Sequence, residues 1–174
     1  MTTTTQPSLT GERTDLLQTL AAHRRFLRFT VRDLSDEQAA ERTTVSELCL
    51  GGLVKHVAEV ESTWADFIVS GPPAMSRGGE ATAADRAAGF RMAPGEHLVD
   101  LLERYEQVAR RTDGLVATLP DLDSSQPLPE APWFEAGARW SARRVLLHII
   151  SETAQHAGHA DIIRETLDGS KTMG

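Results

Sequence analysis

Cysteine is almost absent. Cys49 is the only one in 174 residues, which excludes an intrachain disulfide and with it a disulfide-stapled extracellular scaffold. No apolar run approaches the roughly 20 residues that a membrane-spanning helix needs. The start, "MTTTTQPSLTGERT", has no basic region followed by an apolar core, so it does not read as a secretory signal. Basic surface is scarce too: 18 Lys and Arg against 25 Asp and Glu leave a net charge of −7. Phosphate neutralisation needs a clustered basic patch, so nucleic acid is not an expected partner. The one basic cluster, "RWSARR" at Arg139 to Arg144, is short and flanks a helix start. A cytoplasmic protein without membrane or nucleic-acid partners is the expectation. Lysine is nearly missing, with Lys55 and Lys171 against 16 arginines, a bias of GC-rich bacterial genes.

What is present suits one globular domain: 40% hydrophobic and 25% charged residues, in a chain long enough for a core of its own. Residues 1–9 read as a polar leader, 10–169 as the domain and 170–174 as a tail. From Thr10, Leu16, Leu20, Leu27 and Val31 recur at helical spacing. Ser35 with Gln38 three residues on predicts a capping box for a short helical turn. A second long helix is expected from near Ser46 to the "SGPP" that ends it. Residues 72–94, rich in Gly, Pro and Ala, read as a long connection with a helical turn around 83–90. A third helix runs from Leu98 to Pro120, followed by the proline-rich "DLDSSQPLPEAPWFEAG". Ser141 caps a fourth helix that stops at Asp168-Gly169. Strand alternation is absent, and four amphipathic helices with long connections predict an all-α four-helix bundle.

The fourth helix carries "HIISETAQHAGHADIIRE". His148, Glu152 and His156 are each four residues apart, so they rise as a ladder on one face. Glu152 and His156 can aim at one point, and a facing helix offers His56 in "GGLVKHVAEVE". Two imidazoles and a carboxylate leave open positions on a metal such as zinc, the arrangement of a catalytic rather than a structural ion. The plainer alternative is a set of hydrogen-bonded histidines at the core edge. His159 is a candidate contact behind a ligand, with Asp161 or Glu59 as acceptors for a ligand's second N–H. Asp161 and Arg164 read as a helix-surface pair, His23 and His97 as surface residues, Cys49 as a small buried residue, and the tryptophans as packing. Residue spacing alone leaves the choice between metal centre and core histidines open.

"LGGLVKHVAEVE", "WSARRVLLHIISETAQHAGHADIIRE" and the terminal "LDG" resemble the DinB-like superfamily, in the branch of mycothiol-dependent maleylpyruvate isomerases and related thiol transferases. The resemblance runs from about residue 10 to 169. It implies an up-down-down-up bundle, commonly dimeric, with a divalent metal on His56, Glu152 and His156. Glutamate at 152 is similar to the mycothiol-using, zinc-binding branch; nickel, iron or manganese also suit these donors. The function it implies is thiol S-transfer from mycothiol or a similar thiol to an electrophile. An open metal position would favour the thiolate, and the neighbouring His159 is the expected proton relay. Non-catalytic metal binding in a stress-associated bundle and metal-dependent hydrolysis are the alternatives. Arg144 stands where relatives often have tryptophan, and the chain ends soon after the fourth helix, without the isomerases' additional domain. Neutral imidazoles are needed for ligation, so metal occupancy is expected to fall below about pH 6.

Overall fold

Three of the four long helices, all but the first, begin where a side chain supplies an acceptor for an unpaired backbone N–H group. The computed structural model describes residues 9, 11–75 and 87–172. The leader at 1–8, the start at Thr10, the 76–86 part of the long connection and the last two residues of the tail lie outside the described residues. Helix α1 spans Gly11–Thr30. In α2, Asp36–Ala40, the capping box is present: Gln38 N donates to Ser35 Oγ and Ser35 N to Gln38 Oε1. Helix α3 spans Leu50–Ser70, α4 Leu98–Thr118 and α5 Ala142–Asp168. Ser141 caps α5, whose end is turned by Gly169 in the left-handed conformation (φ +80°).

Two boundaries differ from the sequence expectation. Helix α3 starts at Leu50 rather than near Ser46, because hydroxyls divert the preceding backbone: Ser46 N donates to Thr44 Oγ1 and Leu48 N to Ser46 Oγ. The second loop contains a short antiparallel ribbon, β1 Ser125–Pro127 and β2 Arg139–Ser141, with Gln126 opposite Trp140. Three-residue strands are too short to show an alternating pattern, so the sequence did not reveal them.

Paired residues along the helices fix their directions. Between α3 and α4 the partners advance together: Lys55 with Glu96, Glu59 with Arg104, Asp66 with Arg111. These two helices therefore run parallel. Between α1 and α4 the numbers run oppositely, Arg13 reaching the Leu119 carbonyl, Arg24 Asp113, and Arg28 Glu106. Helix α5 is parallel to α1, since Arg143 pairs with Glu12 and Arg164 donates to the Thr30 carbonyl. The bundle is up-down-down-up. Among the described residues no helix is long and apolar enough to cross a membrane.

The core is divided in two. One apolar cluster gathers Leu27, Leu53, Val57, Tyr105 and Ile163; the other gathers Leu20, Phe67, Val116, Leu146 and Ile149. Between them lies a buried ion pair. Arg24, 5% exposed, grips Glu61, 0% exposed, with Nε at 3.1 Å and Nη2 at 2.5 Å, and also donates to Asp113 at 2.7 Å. Such a pair is worth little against an apolar replacement, but losing one partner strands the other charge out of water. Glu61→Ala is expected to cost about 3–5 kcal/mol in urea unfolding, and Arg24→Met with Glu61→Leu to recover most of it. Equal losses in the single and double variants would show that the pair is not what matters there.

Candidate metal centre

Helices α3 and α5 pack antiparallel, so the first half of α3 faces the middle of α5. His56 thereby meets the ladder on α5. One ligand-capable atom from each of His56, Glu152 and His156 lies within 4.8 Å of the others. His156 Nε2 stands 3.6 Å from Glu152 Oε2, and the rings of His56 and His156 meet edge to face at 4.8 Å. Donors around a tetrahedral zinc at 2.0–2.2 Å are about 3.4 Å apart. The trio is spread wider than that by little more than an ångström, a gap that side-chain torsions close.

Burial keeps the imidazoles in their ligand form. His56 is pushed down to about 4, first by loss of water and then by the neighbouring His156. His156, only 8% exposed, is also lowered, by burial first, with Glu152 pulling the other way. Neutral imidazole nitrogens beside a carboxylate are the donor set of a divalent transition metal, so these residues fit one.

The cover over His56 comes from residues 87–92. Phe90 lies on the His56 ring at 4.0 Å and 31° and reaches His156 at 5.8 Å. It can do so only because of Gly51 and Gly52. A β-carbon on Gly52 would collide with the Phe90 carbonyl, and one on Gly51 with Met92. "LGGL" therefore marks a close backbone approach. Cys49 braces the same approach. Its buried Sγ accepts from Gly52 N at 3.4 Å, capping α3, and lies 3.7 Å from the Phe90 carbonyl. Lys55 then ties α3 to Glu96 at 2.8 Å.

The remaining candidates separate. His159 touches the far side of His156, Nδ1 to Nδ1 at 3.4 Å, outside the ligand trio. Neither Glu59 nor Asp161 bonds a ligand: Glu59 lies 3.8 Å from Arg104, and Asp161 accepts from Thr172 N at 2.7 Å. Arg164 is not a surface partner of Asp161. It is 5% exposed and donates to the carbonyls of Thr30 and Arg32 and to Asp168, since α1 ends beside it and leaves carbonyls without partners. His97 is exposed but structural, pairing with Asp36, which also accepts from Leu98 N to start α4. His148 stands 4.0 Å from Glu152 Oε1, edge-on to the stacked Trp64 and Trp140. Phe90 and the paired tryptophans were missed as neighbours of the centre, although the two consecutive glycines signalled that something packs on α3.

The family model described as Mycothiol-S-transferase matches residues 15–169. The chain belongs to the mycothiol S-transferase family. That span of the family includes His56, Glu152, His156 and His159. A conserved protein of Enterococcus faecalis, known from a crystal structure, has the same fold at 13% identity and a TM-score of 0.69, covering 94% of this chain and 100% of its own. No curated protein matches.

For this mycothiol S-transferase family member, the depressed His56 sets an acid limb. Below the ordinary imidazole value of 6.5 an unfolded chain gains a proton at residue 56 that the folded one refuses until about pH 4. Stability of metal-free protein thus falls as pH drops from 6.5 toward 4, and this group leaves it level above 6.5. Urea midpoints across that window should show the decline in the wild type and a shallower one in His56→Gln. Gly52→Ala, which displaces Phe90, should raise the His56 value toward 6.5 in an NMR titration; an unmoved value would mean that Phe90 is not what dries the ring.

Proposed function

We propose that this protein is a metal-dependent thiol S-transferase that joins mycothiol or a similar small thiol to an electrophilic substrate. The observation that carries the reading is the convergence of His56, Glu152 and His156, from two helices, within 4.8 Å. Zinc fits this donor set, with three protein ligands and an open position. When bound there, such an ion supplies a positive charge that favours the thiolate over the thiol, whose ordinary pKa is about 8.5.

The chain's own residues do the rest. His56 and His156 stay neutral at physiological pH and so are available as donors without first losing a proton. In the tautomer that ligates through Nε2, His156 carries its proton on Nδ1, the atom that faces His159, which keeps Nε2 on the Glu152 side for the metal. Relay of the thiol proton to solvent is the further role we assign to the half-buried His159. Phe90 excludes water from the His56 side. In the transfer the sulfur–carbon bond forms and the electrophile's leaving group, or its π electrons, take up the displaced pair. A homodimer in the cytoplasm is part of the same proposal, supported by the resemblance to commonly dimeric relatives.

The test begins with metal per chain, read by plasma mass spectrometry. Near one equivalent is expected in the wild type and little in folded His56→Ala, Glu152→Ala and His156→Ala. Mycothiol-dependent turnover of an electrophilic probe should disappear with the metal. A wild type that cannot be loaded with zinc, nickel, iron or manganese would overturn the metal centre. Loaded protein with no thiol-dependent turnover would overturn the transferase and leave a binding role. The low His56 value also revises the acid limit: release of the metal should be centred below pH 6, and a midpoint at or above 6.5 would contradict the burial argument.

A further inference from the structure

The ladder on α5 does not stop at the metal ligands. Continuing toward the helix start, Glu152 is followed by His148 and then Arg144, each four residues from the next. Arg144 is exposed, with its guanidinium carbon 4.7 Å from the centroid of Trp140. Trp140 is stacked on Trp64 at 4.9 Å and 16°, and His148 sits edge-on to both rings. The cation is therefore held by a braced aromatic platform.

Among the described residues Arg144 has no counter-charge. Its neighbour Arg143 bonds both Glu12 and Asp123, whereas among the described residues no carboxylate pairs with Arg144. Its position makes this costly. Arg144 lies in the first turn of α5, whose backbone N–H groups already carry partial positive charge, and that turn contains no acid. Arg144 thus presents its cation at one end of a row that leads to the metal ligands. Arg144 and Glu152 are eight positions apart, about 12 Å of helix.

We propose that Arg144, seated on Trp140, is an anion-recognition residue for the ligand of the His56–Glu152–His156 centre. It receives a carboxylate at the far end of a molecule whose reacting atom lies at that centre. The span favours a carboxylate several bonds beyond the reacting atom, as in an aroyl-amino acid, over one attached directly to it. This rests on the thiol-transfer reading. The carboxylate can belong to the electrophile or to the thiol, and the two sources are separable.

The probes are a chloronitrobenzoyl-glycine and its uncharged amide, each with mercaptoethanol, and the amide with mercaptohexanoate or mercaptohexanol. In every case the thiolate sulfur bonds to the ring carbon, the carbon–chlorine bond breaks, chloride leaves with the electron pair, and the thiol proton passes to buffer. Metal-loaded wild type should prefer the acid to the amide by about tenfold or more in kcat/KM, chiefly through KM, the scale of one charge-assisted contact. Arg144→Gln and Arg144→Ala should lose that preference while still turning over the amide, and Arg144→Lys should keep part of it. A preference that falls instead on mercaptohexanoate over mercaptohexanol, and vanishes in Arg144→Gln, assigns the carboxylate to the thiol and supports the same residue. No charge preference on either side, or one that persists in Arg144→Gln, overturns the proposal. Calorimetric binding of the glycine acid and amide and of mercaptohexanoate, without turnover, keeps the two ideas apart. Arg144-dependent binding of an acid in an inactive protein would retain the anion site and sink the transferase. Turnover of the amide without any Arg144-dependent selectivity would do the reverse.

Discussion

The centre depends on how closely a loop can approach the start of α3. Gly51 and Gly52 offer bare backbone there, so the chain around Phe90 lies directly on the helix. That approach puts an aromatic ring on His56 and removes the water that would otherwise stabilise its protonated form. Cys49 participates in the same contact, its sulfur capping the helix while lying against the Phe90 carbonyl. A cap, a pair of glycines and a dehydrated imidazole are thus one arrangement, written in eight consecutive residues.

A second constraint holds the facing helix in register. Glu61 follows His56 by five residues, which turns it about 140° around α3. One side chain points toward α1, where Arg24 fixes it, and the other toward α5. Because the Arg24–Glu61 pair is buried, rotating or sliding α3 would separate charges in a medium that cannot solvate them. The ion pair contributes less to net stability than to the choice of a single helix orientation, and that orientation keeps His56 opposite the α5 ladder.

Much of this was legible in the sequence, for identifiable reasons. The four helices follow from apolar periodicity, and Ser35, Ser141 and Gly169 mark boundaries through hydrogen bonds made within a few residues. The trio His56, Glu152 and His156 could be proposed because helical spacing places Glu152 and His156 on one face and "GGLVKH" offers a third donor. Contacts between distant segments were not readable. Nothing local in "HADIIRE" says that Arg164 is buried against the end of α1, and nothing in "AAGFRM" says that Phe90 will meet His56. The β1–β2 ribbon was hidden by its brevity. Asp36 capping α4 from another helix was hidden because a cap supplied from 62 residues away leaves no pattern in sequence.

Parallel packing of α3 and α4, two helices consecutive among the long ones, has a geometric corollary. The chain leaving α3 at Ser70 must travel back about 30 Å, the length of that 21-residue helix, before α4 can begin. The described end of that return is packed on the bundle, with Phe90 and Met92 against the core cluster and Glu96 held by Lys55. Here its final stretch crosses the donor side of α3. Ligands and cover are therefore supplied by different parts of the chain: the helices present the three donors, while the segment returning toward α4 decides what lies over His56.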